Sequence, residues 1–184
     1  MKQLAHLLAA VGAFALSTTG AAPPAGAIET HEAKAAAADA ASRAAFDMFE
    51  AFGFKRIKPG QYLWRDVPAD AGPERLVIGL SEQLAFLYRG DTLVAVATIS
   101  TGRDGRQTPT GIFNVLEKQP FYRSKKYDNA PMPFMQRIDQ YGIALHGGFN
   151  PGYPASHGCI RLPVAFAKKL YSVTDLGTPV IIGA

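Results

Sequence analysis

The chain gathers its reactive side chains in one short stretch, Ala155-Ser156-His157-Gly158-Cys159-Ile160-Arg161-Leu162-Pro163, with His146-Gly147-Gly148 just upstream. These segments hold the only cysteine of the protein and two of its four histidines. The other two histidines, His6 and His31, lie near the N-terminus. A thiol, two imidazoles and a guanidinium therefore converge on one region close to the C-terminal end.

This combination is typical of a cysteine nucleophile that is activated by histidine. A free thiol has a pKa of about 8.5, so it is mostly protonated at neutral pH, although only the thiolate attacks. A neighbouring imidazole accepts the thiol proton, or stabilises the thiolate as imidazolium. In an extended segment Cys159 and Arg161 point to the same face, which places a cation suited to a carboxylate beside the sulfur.

The backbone around the cysteine predicts an oxyanion site. Because Gly158 has no side chain, we expect the backbone of a substrate to approach the sulfur closely at this position. The successive N–H groups of residues 157–159 are predicted to form a nest for a developing oxyanion.

Three other interpretations of these residues remain open from the sequence. A lone cysteine commonly serves only as a small buried apolar side chain. His146, His157 and Cys159 are also competent zinc ligands, although a fourth ligand is not evident and the spacing is unusual for zinc. Both histidines would equally serve as structural residues with backbone hydrogen-bond partners.

Two segments carry a resemblance to a known family, Gly142-Ile143-Ala144-Leu145-His146-Gly147 and Ser156-His157-Gly158-Cys159-Ile160-Arg161-Leu162. They resemble the active-site motif of the YkuD-type L,D-transpeptidases, which are cysteine enzymes that remodel peptidoglycan. Upstream, Ser100-Thr101-Gly102 and Thr108-Pro109-Thr110-Gly111-Ile112-Phe113 resemble the family's substrate-facing loop and following strand. The resemblance covers residues 75–183, and the segments follow one another in the family's order.

The resemblance implies a mainly β fold, a YkuD-like β-sandwich of mixed sheets with a few helical additions. It implies that Cys159 is the nucleophile and His146 the base, which the backbone carbonyl of Gly147 orients. The residues with an implied oxyanion or substrate-binding role are His157, Gly158, Ser156 and Arg161. No metal or organic cofactor is expected, because the thiolate supplies the nucleophile.

The implied activity is that of a peptidoglycan L,D-transpeptidase in cell wall biogenesis and cell shape. Cys159 would form an acyl-enzyme with a stem peptide, release the terminal D-amino acid and transfer the acyl group to an amine acceptor. The sequence leaves open whether the acceptor is a neighbouring stem, a wall-anchored lipoprotein or a free D-amino acid, and carbapenem-type β-lactams are the implied inhibitors. The alternatives are an L,D-carboxypeptidase that uses water, and a catalytically inactive peptidoglycan-binding module.

The length and charge of the chain fit this interpretation. Its 184 residues suit one domain with a small appendage, divided into a signal peptide (1–27), a helical segment and linker (28–74) and a catalytic domain (75–183). The formal net charge is +4, but no basic stripe alternates with aromatic residues, so nucleic acid is not an expected partner. A basic protein also suits a polyanionic cell wall.

The N-terminus has the layout of a secretory signal peptide. Lys2 precedes a mostly apolar run over residues 4–16, and small residues follow it. The candidate cleavage sites are Ala25-Gly26-Ala27 and Gly20-Ala21-Ala22. The apolar run is too short for a comfortable membrane span, although an uncleaved anchor is the alternative. We therefore expect export across the inner membrane to the periplasm or cell envelope, without a transmembrane span.

An alanine-rich segment after the leader predicts a helix from Thr30 to Phe52, because alanine has the highest helix propensity. Thr30 suits the N-cap and Gly53 suits the stop. We expect the C-terminal half of this helix to dock on the domain through the face of Ala45, Met48 and Phe52. The first half, which offers only alanine, is expected to fray.

From Arg75 the hydrophobic pattern has a period of two, which is typical of strands. The predicted strands are 75–79, 84–88, 92–100, 111–116, 142–146 and 180–182. Gly90-Asp91 suits a two-residue hairpin turn. An edge strand is predicted around Trp64, whose ring we expect in the core, and a late helix is predicted to begin at Pro163.

One connection is longer than the flanking strands need. Residues 119–141 form a long predicted loop, and long ordered loops are often functional lids. Its position before His146 resembles that of the family's lid over the active cleft.

The leader generates the first prediction, a mature chain that begins after Ala22 or after Ala27. Small residues at these positions match what signal peptidase requires. N-terminal sequencing of the protein from an envelope fraction measures the cleavage site. Recovery of the full-length chain from the cytosol would contradict the export hypothesis.

Overall fold

The computed structural model describes residues 26–184. The predicted leader therefore lies outside the described residues, except for its last two positions. The elements in chain order are α1 (His31–Phe52), β1 (Tyr62–Trp64), β2 (Glu74–Gly79), β3 (Leu84–Arg89), β4 (Thr92–Thr98), β5 (Gly111–Asn114), β6 (Glu117–Gln119), β7 (Met135–Arg137), β8 (Ala144–Gly147), β9 (Ile160–Leu162), α2 (Val164–Val173) and β10 (Pro179–Gly183).

The strands form two mixed sheets, as predicted. The larger sheet has the order β1-β4-β3-β2-β10-β5, and the smaller has the order β6-β7-β8-β9. Most neighbours are antiparallel, whereas β2 with β10 and β8 with β9 are parallel. The predicted strands all exist with shifted ends, the hairpin between β3 and β4 turns at Gly90-Asp91, and β1 forms the predicted edge.

Alternation along the strands divides the interior into two apolar layers. In β2, Leu76 and Ile78 belong to a cluster that includes residues of β8, β9 and α2. Val77, on the opposite face of the same strand, packs in a second cluster with residues of α1. The larger sheet therefore lies between helix α1 on one face and the smaller sheet with α2 on the other.

Helix α1 has the predicted ends. The Thr30 side chain accepts a hydrogen bond from the backbone N–H of Ala33 at 3.2 Å, and Gly53 ends the helix with a φ of 73°. A left-handed residue of this kind is a common helix terminator, which glycine adopts without steric cost.

Helix α1 docks over more of its length than predicted. Met48 is buried, and Ala45 and Phe52 are partly buried against the same cluster, as predicted for the C-terminal half, whereas the first half packs rather than frays. The buried residues of the helix are Ala33, Ala37, Ala41, Ala44 and Met48, so the alanine-rich first half packs on the sheet. Phe46 and Phe49 are 64% and 41% exposed. The small alanine side chains permit close approach of the backbones. As a result, a Cβ added to Gly183 would lie only 2.3 Å from the Ala37 carbonyl oxygen.

Helix α2 packs beneath the smaller sheet through Phe166, which is fully buried. Pro163 occupies the N-cap, with a ψ of 130°, rather than the first helical position that was predicted. Trp64 is half-buried against the same core, as predicted, with its ring centroid 5.9 Å from that of Phe166. Within residues 26–184 no helix is long and apolar enough to cross a membrane.

The close packing of α1 generates a stability prediction. Ala37→Leu should lower the free energy of unfolding by about 1–3 kcal/mol, the usual cost of overpacking a filled interface. Urea denaturation measures this change. Ala35→Leu, the same substitution on the exposed face of α1, should alter stability by less than about 0.5 kcal/mol. Equal midpoints for the two variants would show that the alanine face is not the docking face.

Candidate active site

The parallel pairing of β8 with β9 brings the predicted reactive residues together. In this register Leu145 lies opposite Ile160 and His146 lies opposite Arg161. Leu145 and Ile160 are buried in the core. Since side chains alternate along a strand, His146, Arg161 and Cys159 share the opposite face. The predicted common face of Cys159 and Arg161 is confirmed.

His146 is held in one orientation by its neighbour. Its side chain is buried, with 7% of the residue exposed, and Nδ1 lies 2.9 Å from the carbonyl oxygen of Gly147. A carbonyl only accepts hydrogen bonds, so Nδ1 carries the proton and Nε2 keeps its lone pair in the neutral ring. Burial lowers the pKa of His146 below its ordinary value of 6.5, and the Arg161 cation contributes in the same direction.

Cys159 is a half-buried free thiol. Its S–H donates to the carbonyl oxygen of Gly142 at an S···O distance of 3.7 Å. Burial raises the pKa of this thiol, and the charge of Asp139 adds to the effect, whereas the Ala144 N–H and the Arg161 cation oppose it. Together with His146, the site therefore favours a neutral thiol beside a neutral imidazole over an ion pair.

The turn before the cysteine is held by side-chain hydroxyl groups. Ser156 is buried, its Oγ donates to the carbonyl oxygen of Cys159 at 2.5 Å, and it accepts from the N–H of Gly158 at 3.0 Å. Thr108 Oγ1 donates to the carbonyl oxygen of Gly158 at 2.7 Å. Ser156 therefore uses its hydroxyl group inside the protein and shapes the turn that carries the nucleophile.

Gly158 has a different role from the one predicted. Its N–H is already engaged by Ser156, so it is not a free donor of the predicted nest. An added Cβ would lie 2.7 Å from Cδ1 of Ile143, so the missing side chain makes room for protein rather than for a substrate. A φ of 117° also requires glycine at this position.

His157 lies between two segments that the chain brings together from far apart. Its ring stacks on that of Tyr127, with centroids 4.4 Å apart and planes at 20°. Its Nε2 lies 3.3 Å from a guanidinium nitrogen of Arg103. Desolvation and the neighbouring Arg103, Arg106 and Arg161 cations lower the pKa of His157, so this neutral ring accepts the hydrogen bond from Arg103.

A cavity of about 620 Å³ lies in front of these residues and is bordered by His146, Gly147, His157, Cys159 and Arg161. The predicted loop 119–141 contains β7, and the part of the loop before β7 borders the cavity in the predicted lid position. The loop residues that line the cavity are Ser124, Tyr127, Ala130, Pro131, Met132 and Pro133. Arg161 is half-buried, and among residues 26–184 no carboxylate forms an ion pair with it.

Sequence reasoning missed two aromatic residues of this site. Tyr127 stacks on His157 from the lid, and Phe149 borders the cavity with 79% of its surface exposed. Neither residue follows a period that would indicate its role. In the described part of the chain, no group of three His, Cys, Asp or Glu side chains is placed to hold a metal ion.

The chain is similar to known proteins in sequence and in fold. The family model of the YkuD L,D-transpeptidase catalytic domain matches residues 73–182. A Bacillus licheniformis protein named as an L,D-transpeptidase YkuD is 31% identical over 119 residues, which are 61% of this chain and 67% of that protein.

Two solved structures share the fold. An L,D-transpeptidase from Xylanimonas cellulosilytica is 26% identical, with a TM-score of 0.56 over 65% of this chain and 64% of that chain. L,D-transpeptidase 3 from Mycobacterium tuberculosis, solved with a faropenem-derived adduct, is 22% identical, with a TM-score of 0.55 over 61% and 60%. This chain therefore spans less than two thirds of either solved chain.

The match of the family model over more than half of the chain decides the classification. This chain belongs to the YkuD family of L,D-transpeptidase catalytic domains. The resemblance and the mainly β fold that the sequence implied are both confirmed.

Proposed function

We propose that this protein is a peptidoglycan L,D-transpeptidase that works in the periplasm or cell envelope. The observation that carries the proposal is the 2.9 Å hydrogen bond between His146 Nδ1 and the Gly147 carbonyl. It leaves Nε2 as the free base in a cavity that the Cys159 thiol also borders. Family membership supports the same reaction.

The first half-reaction forms an acyl-enzyme. Cys159 Sγ attacks the carbonyl carbon between an L-centre and a D-residue of a stem peptide, while His146 Nε2 takes the thiol proton. The C–N bond then breaks, and His146 returns the proton to the leaving amine of the terminal D-amino acid. The product is a thioester on Cys159 and a neutral His146, so no cofactor enters the balance.

The second half-reaction transfers the acyl group. The amine of an acceptor attacks the thioester carbonyl and gives its proton to His146. The C–S bond then breaks, and the proton returns to the sulfur, which restores the thiol. A neighbouring stem peptide or a wall-anchored protein is the proposed acceptor.

Three groups support the proposed oxyanion and substrate contacts. The N–H of Cys159 is the proposed oxyanion donor, because Ser156 occupies the N–H of Gly158. Arg161, which has no carboxylate partner in the range 26–184, suits a carboxylate of the stem peptide. His157 borders the cavity from its stacked position, and it is the proposed side-chain support for the oxyanion or substrate.

Carbapenem-type β-lactams are the proposed inhibitors of this site. Their ring carbonyl would acylate Cys159 as a stem peptide does, with opening of the strained ring in place of a leaving amine. The faropenem-derived adduct on the Mycobacterium tuberculosis relative supports this proposal.

A donor–acceptor assay tests the proposed function. A stem tetrapeptide and a second stem with a free amine are incubated with the protein, and the products are identified by mass. A cross-linked product supports transpeptidation, and Cys159→Ser is the negative control. Hydrolysis alone, with or without the acceptor, would favour the L,D-carboxypeptidase. No reaction, together with retention on cell-wall sacculi, would favour a binding module.

The two histidines are expected to respond differently to substitution. His146→Ala should remove acylation of Cys159 by a carbapenem almost completely, because it deletes the proton acceptor. His157→Ala should slow acylation by roughly 10²–10³, the usual cost of losing one oxyanion contact. Intact mass against time measures both rates. A dead His157→Ala beside an active His146→Ala would show that the base is the other histidine.

A further inference from the structure

The turn between β7 and β8 contains a buried carboxylate that the proposed reaction does not use. Asp139 is only 5% exposed. Its Oδ1 accepts hydrogen bonds from the backbone N–H groups of Tyr141 at 2.9 Å and Ile143 at 2.8 Å. The N–H of Ile138 donates to the carbonyl oxygen of Ile143 at 2.9 Å and closes the turn. Charge-assisted hydrogen bonds of this kind are stronger than neutral ones, so Asp139 fixes the shape of the turn.

The same turn contacts the nucleophile segment at two points. The carbonyl oxygen of Gly142 accepts the S–H of Cys159 at 3.7 Å. The side chain of Ile143 lies so close to Gly158 that an added Cβ would approach it to 2.7 Å. Gly142 has a φ of 97°, a conformation that favours glycine. The shape of residues 139–143 therefore determines where the Gly142 oxygen lies relative to the sulfur.

We propose that Asp139 is a positioning residue for the nucleophile. It holds the turn so that the Gly142 carbonyl accepts the Cys159 S–H and the resting protein keeps a neutral thiol. Binding of a donor peptide would then displace this contact and release the thiol proton to His146. The catalytic meaning rests on the proposed function, whereas the state of the resting thiol is measurable without it.

The charge of Asp139 acts in the same direction as its hydrogen bonds. Burial is the largest cause of the raised pKa of the Cys159 thiol. Two charges also act on this pKa: the Asp139 carboxylate raises it, and the weaker effect of the Arg161 cation lowers it. A thiolate would place a second negative charge near a buried carboxylate, which is unfavourable. The neighbouring Arg137 is paired with Glu117 at 2.7 Å. Its contact with Asp139 is made to the backbone carbonyl oxygen and not to the carboxylate.

Other titratable groups face Cys159 from the elements around it. On its two cavity walls they are His146, His157, Arg161, Arg106, Lys125 and Lys126. The phenols of Tyr122, Tyr127 and Tyr141 complete the smaller wall. None of these residues is a carboxylic acid, so Asp139 is the carboxylate that opposes thiolate formation.

Alkylation by iodoacetamide across a pH series tests this proposal on the full chain. The thiolate displaces iodide, an S–C bond forms, and the thiol proton goes to the buffer. The wild-type midpoint should lie above that of an ordinary solvent-exposed thiol, because burial raises the pKa of Cys159. Asp139→Asn keeps the accepting oxygen but removes the charge, so its midpoint should fall by roughly 0.5–1 pH unit. Asp128→Asn, an exposed acid on the lid, should leave the midpoint unchanged.

A second variant separates positioning from simple structural support. Asp139→Ala removes the charge and both hydrogen bonds, so the midpoint should also fall and the melting temperature should drop below that of Asp139→Asn. An alkylation midpoint that is unchanged in both Asp139→Asn and Asp139→Ala, whatever their melting temperatures, would overturn the proposal. A shift in Asp139→Ala alone would support it and assign the effect to the two hydrogen bonds rather than to the charge. If the Asp139 variants shift the midpoint but the wild-type protein shows no transfer activity, the positioning role is supported and only the proposed function is contradicted.

Discussion

The site depends on the parallel pairing of two short strands, β8 and β9. The pairing is made by backbone hydrogen bonds, and the alternation of side chains then divides each strand between two environments. Leu145, Ile160 and Leu162 enter the core, while His146 and Cys159 face the cavity. A shift of the register by one residue would exchange these faces, so the burial of the leucine and isoleucine side chains also holds the reactive pair in place.

Burial at this interface has an electrostatic consequence. It lowers the pKa of His146 and raises that of Cys159, so burial favours the neutral form of both groups. A neutral pair requires no buried charge before a substrate arrives, and burying an unpaired charge is costly. In the proposed reaction the thiol proton moves only when an acyl group is in position to accept the sulfur.

The polar contacts around the thiol come from several distant segments. Thr108 and Ser156 hold the turn at Gly158, the Gly142 carbonyl accepts the S–H, and Tyr127 stacks on His157. The Ser156 contact is local in the chain, whereas the contacts of Thr108, Gly142 and Tyr127 join parts of the chain that meet only in the folded protein. The orientation of the nucleophile is therefore a property of the whole domain.

The sequence by itself determined the features that depend on neighbouring residues. Thr30 and Gly53 set the ends of α1, Gly90-Asp91 set a hairpin, and a period of two placed Cys159 and Arg161 on one face. Only the tertiary structure decided that the first half of α1 also docks, because this contact depends on the close backbone approach between Ala37 and Gly183. It also decided how the turn at Gly158 is held and where Tyr127 lies, since Thr108 and Tyr127 come from segments far from Gly158 and His157 in the chain.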